Sequence, residues 1–140
     1  AAWGGKSLHR DFKPPSAPFP REGEGARLGP DLEDLRAKDM RATMDDVKKS
    51  YGHFYRLMMM HIKAALAEVQ SIVSSQQQQQ EQPLLEAELA GFVWFQGYND
   101  QFLNHSRSSY KANLVHFIKD VRAELQAPNL PFVIGALGIG

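Results

Sequence analysis

The 140-residue chain contains 43% apolar and 10% aromatic residues, enough to bury one hydrophobic core of domain size. Sixteen basic residues balance sixteen acidic ones, so no net charge attracts nucleic acid or an anionic membrane, and we expect neither as a partner. The absence of cysteine excludes disulfides, thiolate nucleophiles and cysteine-ligated zinc. No apolar run approaches the ~20 residues that span a bilayer.

The first third of the chain is predicted to be mostly irregular. A pair of prolines forbids helix and favours an extended surface loop over residues 11–16. Residues 21–49 carry fifteen of the thirty-two charged side chains and few large apolar ones, as in a solvated insertion. Within that insertion, Pro30 suits the first turn of a short helix that places Leu28, Leu32 and Leu35 on one side.

A long amphipathic helix is predicted from Tyr51 onward, because apolar side chains recur at three- and four-residue steps. Its start has two interpretations. Thr43 and Asp46 resemble a capping box, whereas Gly52 is an alternative start. The apolar stripe consists of Phe54, Tyr55, Met58, Ile62, Ala65, Leu66, Val69 and Val73.

The second half of the chain alternates strand and helix patterns. A glutamine-rich tract within residues 74–86 is too polar to join a core and is predicted to be a flexible linker insertion. Residues 89–95 form an apolar run typical of a parallel strand covered on both faces, and residues 132–137 form another. Between them, residues 110–125 have a helical apolar period. This order predicts adjacent or near-adjacent parallel strands with a right-handed crossover, in an α/β fold.

Polar side chains follow the first of these strands, at residues 96–100. In open α/β sheets ligands bind outside the carboxyl ends of the strands, so these residues are candidates for a functional site. The alternative is that Asn99 and Asp100 only form a turn or cap the next segment. From the residues alone, the two interpretations are equally supported.

Four sequence blocks carry a family resemblance when they are taken together and in order. They are AWGGKSL at residues 2–8, DFKPPS at 11–16, LAGFVWFQGYND at 89–100 and LPFVIG at 130–135. The chain resembles the sialate O-acetylesterase-like domain of the SGNH hydrolase superfamily, with apparent insertions at 21–49 and 74–86. The resemblance implies a three-layer α/β/α sandwich with a parallel sheet, here incomplete at both ends.

The resemblance also implies a carbohydrate acetylesterase that works without a cofactor or metal. Such enzymes use a serine from an N-terminal Gly-Asp-Ser or Gly-Gln-Ser block, and an aspartate and a histidine from a C-terminal Asp-x-x-His block. Neither block occurs in this sequence. We therefore expect an internal fragment of the catalytic domain. The five histidines are then loop or helix-face residues, not the catalytic base: His9, His53, His61, His105 and His116.

The blocks that are present resemble those that form the family's oxyanion hole. Gly4 and Gly5 match the second block, where a glycine N–H approaches the substrate, and Gly5 is slightly preferred. An ordinary tight turn is the alternative. In the third block, Gly97 followed by Asn99 fits the general superfamily pattern, whereas Gln96 with Gly97 fits the carbohydrate-esterase variant. The side-chain donor is therefore Asn99 or Gln96.

The same resemblance implies contacts to an acetylated carbohydrate from Lys6, Tyr98 and Asp100. Tyr98 is the best candidate for stacking on a sugar face, although aromatic residues beside a strand end more often pack against their neighbours. The family favours a secreted or periplasmic protein.

Three functions are considered, in order of preference. The first is an acetylesterase whose serine and Asp-x-x-His blocks lie outside these 140 residues. The second is a non-catalytic carbohydrate-binding or scaffold derivative of the same fold. The third is a helical interaction module that exposes the apolar stripe of residues 51–73.

Overall fold

The computed structural model describes residues 3–19, 29–78 and 87–136. In chain order these ranges contain α1 (Gly29–Arg36), α2 (Met44–Ser50), α3 (His53–Gln78), β1 (Phe92–Trp94), a 3₁₀ turn (Asn99–Gln101), α4 (Asn104–Glu124) and β2 (Phe132–Ile134). Helix α1 is the short helix predicted around Pro30. The succession of β1, α4 and β2 confirms the predicted strand–helix–strand unit.

The two strands pair in parallel, with Phe92 opposite Phe132. This confirms the predicted parallel neighbours, since a parallel pair needs a long connection and α4 supplies it. Each strand has three residues and is shorter than the apolar runs at 89–95 and 132–137. Leu137 lies outside the described residues. Sheet pairing therefore uses only part of each apolar run.

Among the described residues, only one face of this sheet is covered. On that face Trp94 and Phe92 lie against Phe117 of α4, with ring centroids 4.3 and 6.0 Å from it. On the opposite face Val93 is 74% and Val133 is 58% exposed. The prediction of strands covered on both faces is therefore wrong for the described residues, because α3 and α4 both contribute side chains to one core cluster. These residues form an α/β arrangement with its core on one face of the parallel sheet.

Helix α3 buries only the first half of its predicted apolar stripe. Tyr55 and Met58 are 1% and 8% exposed, whereas Val69 is 46% exposed. The helix also extends into the glutamine tract, which was predicted to follow it. Glutamine is compatible with helix because its unbranched side chain loses little freedom there. The rest of that tract, residues 79–86, lies outside the described residues.

The long helix α3 begins after Gly52, as the second interpretation predicted, whereas the capping box starts the separate short helix α2. Thr43 caps α2 in a capping box, in which its side chain accepts from the Asp46 N–H and the Asp46 carboxylate accepts from the Thr43 N–H. Gly52, with φ of +69°, separates α2 from α3. Ala42 and Val47 are 9% and 0% exposed, so the last part of the predicted solvated insertion in fact contributes to the core.

The N-terminal segment packs against the core, contrary to the surface loop predicted at residues 11–16. Phe12 is 4% and Lys13 is 5% exposed. The ring of Phe12 lies edge-on to Trp94 of β1, with centroids 5.2 Å apart, and 6.0 Å from the ring of Phe54 in α3. The prolines do exclude helix here. The loop is nevertheless buried, because the ring of Phe12 packs against β1.

Candidate active site

The strand-end turn, residues 96–101, follows β1 at the carboxyl end of the sheet. The backbone of Gly97 accepts a hydrogen bond from the Asp100 N–H at 3.2 Å, and Asn99 begins the 3₁₀ turn. The turn therefore occupies the place where open α/β sheets bind ligands. This agrees with the position predicted for a functional site.

The N-terminal segment returns to this turn from 90 residues away along the chain. Gln96 Nε2 donates to the carbonyl oxygen of Lys6 at 2.8 Å. A β-carbon added to Gly5 would lie 4.0 Å from Asn99 Nδ2, whereas one added to Gly4 would have no neighbour within 4 Å. The predicted proximity of the glycine pair to the strand-end turn is thus confirmed, and Gly5 is the glycine nearer to Asn99.

The carboxylate of Asp100 joins the two segments. Asp100 is 1% exposed. Its oxygens accept hydrogen bonds from the backbone N–H groups of Leu8 and His9, at 2.8 and 3.0 Å, and from Gln96 Nε2 at 2.8 Å. A buried carboxylate is stable only when such donors replace water. Asp100 therefore holds the N-terminal segment against the turn, in a position where its carboxylate is not open to solvent.

The two candidate amide donors differ in what they already bind. Both N–H groups of Gln96 are used, by the Lys6 carbonyl and by Asp100, and its Oε1 is buried without a described partner. No described residue accepts a hydrogen bond from the Asn99 side chain or from the Gly5 N–H. Within the described part of the chain, the Gly5 N–H and the Asn99 amide are therefore both available beside the strand-end turn.

The predicted substrate-contact residues have different surroundings. Tyr98 is 64% exposed and packs edge-on against Phe102, with ring centroids 5.0 Å apart. The Lys6 ammonium lies 4.2 Å from the centroid of the Phe54 ring and 3.8 Å from an oxygen of Asp11. Of these side chains, Tyr98 presents the largest open surface to a ligand.

Two grooves meet at Gln96. One has a volume of about 850 Å³ and is lined by Trp3, Gly4, His61 and Trp94 among others. The other has a volume of about 350 Å³ and includes Gly97, Asp100, Arg107, Tyr110 and Ile134. Both are large enough to hold a monosaccharide-sized ligand beside the strand-end turn.

Two serine–histidine pairs were missed by the sequence analysis. Ser16 Oγ lies 2.7 Å from His116 Nδ1, and Ser109 Oγ lies 3.2 Å from His9 Nδ1. The members of each pair are 100 residues apart, so no local motif announces them. Asp120 accepts a hydrogen bond from the Ser16 backbone N–H. In a catalytic triad the carboxylate instead orients the histidine ring.

The described residues contain neither a metal-ligand cluster nor a membrane-spanning helix. Within them, no three histidine, aspartate or glutamate side chains are grouped to hold a metal ion. None of the described helices combines the length and the apolar character needed to cross a bilayer.

The sequence model of one protein family matches residues 42–140, and that family is described as carbohydrate esterase, sialic acid-specific acetylesterase. Searches among curated proteins and among solved structures returned no match. The matched region contains the strand-end turn with Gln96 and Asn99, whereas Gly4 and Gly5 precede it. Because the match covers more than half of the chain, the protein belongs to the carbohydrate esterase family of sialic acid-specific acetylesterases.

Proposed function

We propose that this chain is part of a serine esterase of the SGNH type that removes acetyl groups from carbohydrates, sialic acids among them. The observation that carries the proposal is the convergence of Gly5 and Asn99 at the carboxyl end of the sheet, in a chain that belongs to a carbohydrate esterase family. In this proposal the Gly5 N–H and the Asn99 amide form the oxyanion hole.

The chemistry of ester hydrolysis explains why such donors matter. Attack on the acetyl carbonyl places negative charge on its oxygen, and fixed N–H groups aimed at that position stabilise the transition state more than the ground state. Gly5 has φ of +70°, a conformation that L side chains rarely adopt, so glycine is favoured at this position. Asn99 is preferred over Gln96 because both Gln96 N–H groups are already donated.

The nucleophilic serine and the histidine base are proposed to lie outside these 140 residues, since the sequence contains no Asp-x-x-His block. The Ser16–His116 pair is not proposed as the catalytic pair. Its aspartate binds the serine backbone N–H, whereas in a triad the carboxylate orients the histidine ring. The fold of the whole catalytic domain is proposed to be the three-layer sandwich of that superfamily.

Substrate recognition is proposed to involve the exposed ring of Tyr98. A tyrosine face can cover the apolar face of a sugar while its hydroxyl remains in water. Lys6 contributes through its backbone carbonyl, which positions Gln96. Asp100 contributes as a positioning residue, since its carboxylate binds the N-terminal backbone.

The test is acetate release from an O-acetylated sialic acid by the intact gene product that contains this chain. A serine-directed phosphonate should abolish turnover, and mass spectrometry should find the labelled serine outside residues 1–140. A Ser16→Ala variant should keep wild-type turnover. Sugar binding without any acetate release would support the non-catalytic derivative instead. A phosphonate on Ser16 would contradict the proposal that the nucleophilic serine lies outside residues 1–140.

A further inference from the structure

A separate cavity lies between the N-terminal segment and α4, away from the two grooves at the strand-end turn. Its volume is about 290 Å³. Its polar lining includes His9, Lys13, His105, Ser109, Asn113 and His116. It shares no lining residue with the two grooves beside the turn, and no carboxylate of the described residues lines it. We call it the His9–Lys13 pocket.

Lys13 is a buried cation without a described counter-charge. It is 5% exposed, and its ammonium donates to the carbonyl oxygen of Pro18 at 2.7 Å and lies 5.1 Å from the centroid of the Phe19 ring. No carboxylate of the described residues lies within ion-pair distance of it. A fully buried lysine is normally paired, because removing an ammonium ion from water without compensation is costly. Two of its three N–H donors have no acceptor among the described residues.

The imidazoles add hydrogen-bond donors to the same space. His9 is 7% exposed, and its ring centroid lies 4.8 Å from that of His105. Burial, followed by the charges of His105 and Lys13, lowers the pKa of His9 to about 4. Positive groups in this pocket therefore destabilise one another, and a bound negative charge would relieve that repulsion.

Two carboxylates close to this region bind backbone groups outside the pocket lining. Asp100 accepts hydrogen bonds from the backbone N–H of His9, outside the pocket lining. Asp120 accepts from the backbone of Ser16, whose hydroxyl contacts His116. Neither carboxylate is among the pocket-lining residues, so the pocket has a positive character on the sides that the structure describes.

We propose that the His9–Lys13 pocket binds a small oxyanion, a carboxylate or a phosphate, with Lys13 as its counter-charge and the histidine side chains as hydrogen-bond partners. The pocket is large enough for such an ion, and its ammonium and imidazole groups suit several acceptor oxygens. The proposal is independent of the esterase reaction and of the oxyanion-hole assignment.

The first experiment titrates sodium acetate and, separately, inorganic phosphate into the intact gene product at constant ionic strength held with chloride. The side-chain resonances of the five histidines are followed by NMR. Saturable shifts of His9, His105 and His116, with His53 and His61 unmoved, are expected. Saturation by phosphate alone would identify a phosphate site, and saturation by acetate as well would identify a carboxylate site. Shifts that do not saturate, or that affect all five histidines equally, would overturn the proposal.

The second experiment tests the role of Lys13. Burial lowers its pKa to about 8, so its charge is largely lost by pH 9, and acetate should bind about tenfold more weakly at pH 9 than at pH 7. Lys13→Met should weaken binding by about tenfold or more, whereas Lys111→Met, at an exposed position of α4, should leave it unchanged. Circular dichroism checks that each variant folds. If Lys13→Met does not fold, the pH dependence of the unsubstituted protein decides, and equal affinity at pH 7 and pH 9 would contradict the proposal.

Discussion

At the scale of single residues, Asn99 and Gln96 are distinguished by the hydrogen bonds of their amides. Both Gln96 N–H groups bind protein acceptors, whereas no described residue accepts from the Asn99 amide. Under the proposed function, Asn99→Ala in the intact enzyme should lower kcat by about 100- to 1,000-fold with little change in KM. Steady-state kinetics on an acetylated sugar measures this effect.

The matched variant is Gln96→Ala. It removes the link between the Lys6 carbonyl and Asp100, so it should reduce the free energy of unfolding as well as turnover. Asn99→Ala should leave the unfolding free energy nearly unchanged. Wild-type turnover in Asn99→Ala would show that this amide does not form the oxyanion hole.

His9 predicts a pH dependence of stability. Its pKa falls from 6.5 in the unfolded chain to about 4 in the folded protein. As the pH drops through this window the unfolded state binds a proton first, so the contribution of neutral His9 is complete above pH 6.5 and is lost toward pH 4. Urea unfolding should therefore show that His9→Gln loses less stability than wild type as the pH falls from 6.5 to about 4. The exposed His53→Gln serves as control, and equal pH dependence in both variants would contradict the prediction.

At the scale of elements, Gly52 sets the junction between α2 and α3. Its φ is +69°, and an added β-carbon would lie 2.6 Å from the carbonyl oxygen of Lys13. Gly52→Ala should therefore lower the free energy of unfolding by about 2 kcal/mol or more, through backbone strain and a contact that the backbone must relieve. Gly4→Ala is the matched control, because a β-carbon there meets no atom within 4 Å. Equal denaturation midpoints for the two variants would show that the junction tolerates a side chain.

The elements were predicted from periodicity and composition, and the errors have a common cause. Apolar spacing located α3, α4 and both strands because helices and strands repeat with different periods. It did not identify what covers each apolar surface. Val69 in α3 and Val93 in β1 fit the pattern of buried residues, yet both are exposed among the described residues. Burial depends on which elements pack together, and that information is not local in the sequence.

At the scale of the whole molecule, the candidate site joins segments that are far apart in sequence. The polar turn after β1 could be predicted from strand topology, and its proximity to the glycine pair from the family resemblance. The burial of Asp100 could not be predicted, because its partners Leu8 and His9 precede it by more than 90 residues. The structure shows Asp100 bonded to this distant backbone, and its contact with a substrate stays a prediction. Hydrogen bonds to a distant backbone leave no local pattern.

Asp100→Asn tests how far this long-range connection stabilises the fold. One carboxylate oxygen accepts from Leu8 and Gln96 and the other from His9, so the amide NH₂ of asparagine must face at least one N–H donor. A buried donor left without an acceptor, together with the loss of the charge, should cost about 2–3 kcal/mol in the free energy of unfolding. Denaturant unfolding measures this cost. Asp45→Asn is the control, since its carboxylate is 81% exposed and its 4.0 Å pair with Lys48 should contribute little.

In the intact enzyme Asp100→Asn should also lower kcat, because Gly5 would no longer be held beside Asn99. If Asp100→Asn were as stable as Asp45→Asn, the N-terminal segment would have to be held by other contacts, and the convergence of Gly5 and Asn99 would not depend on this carboxylate.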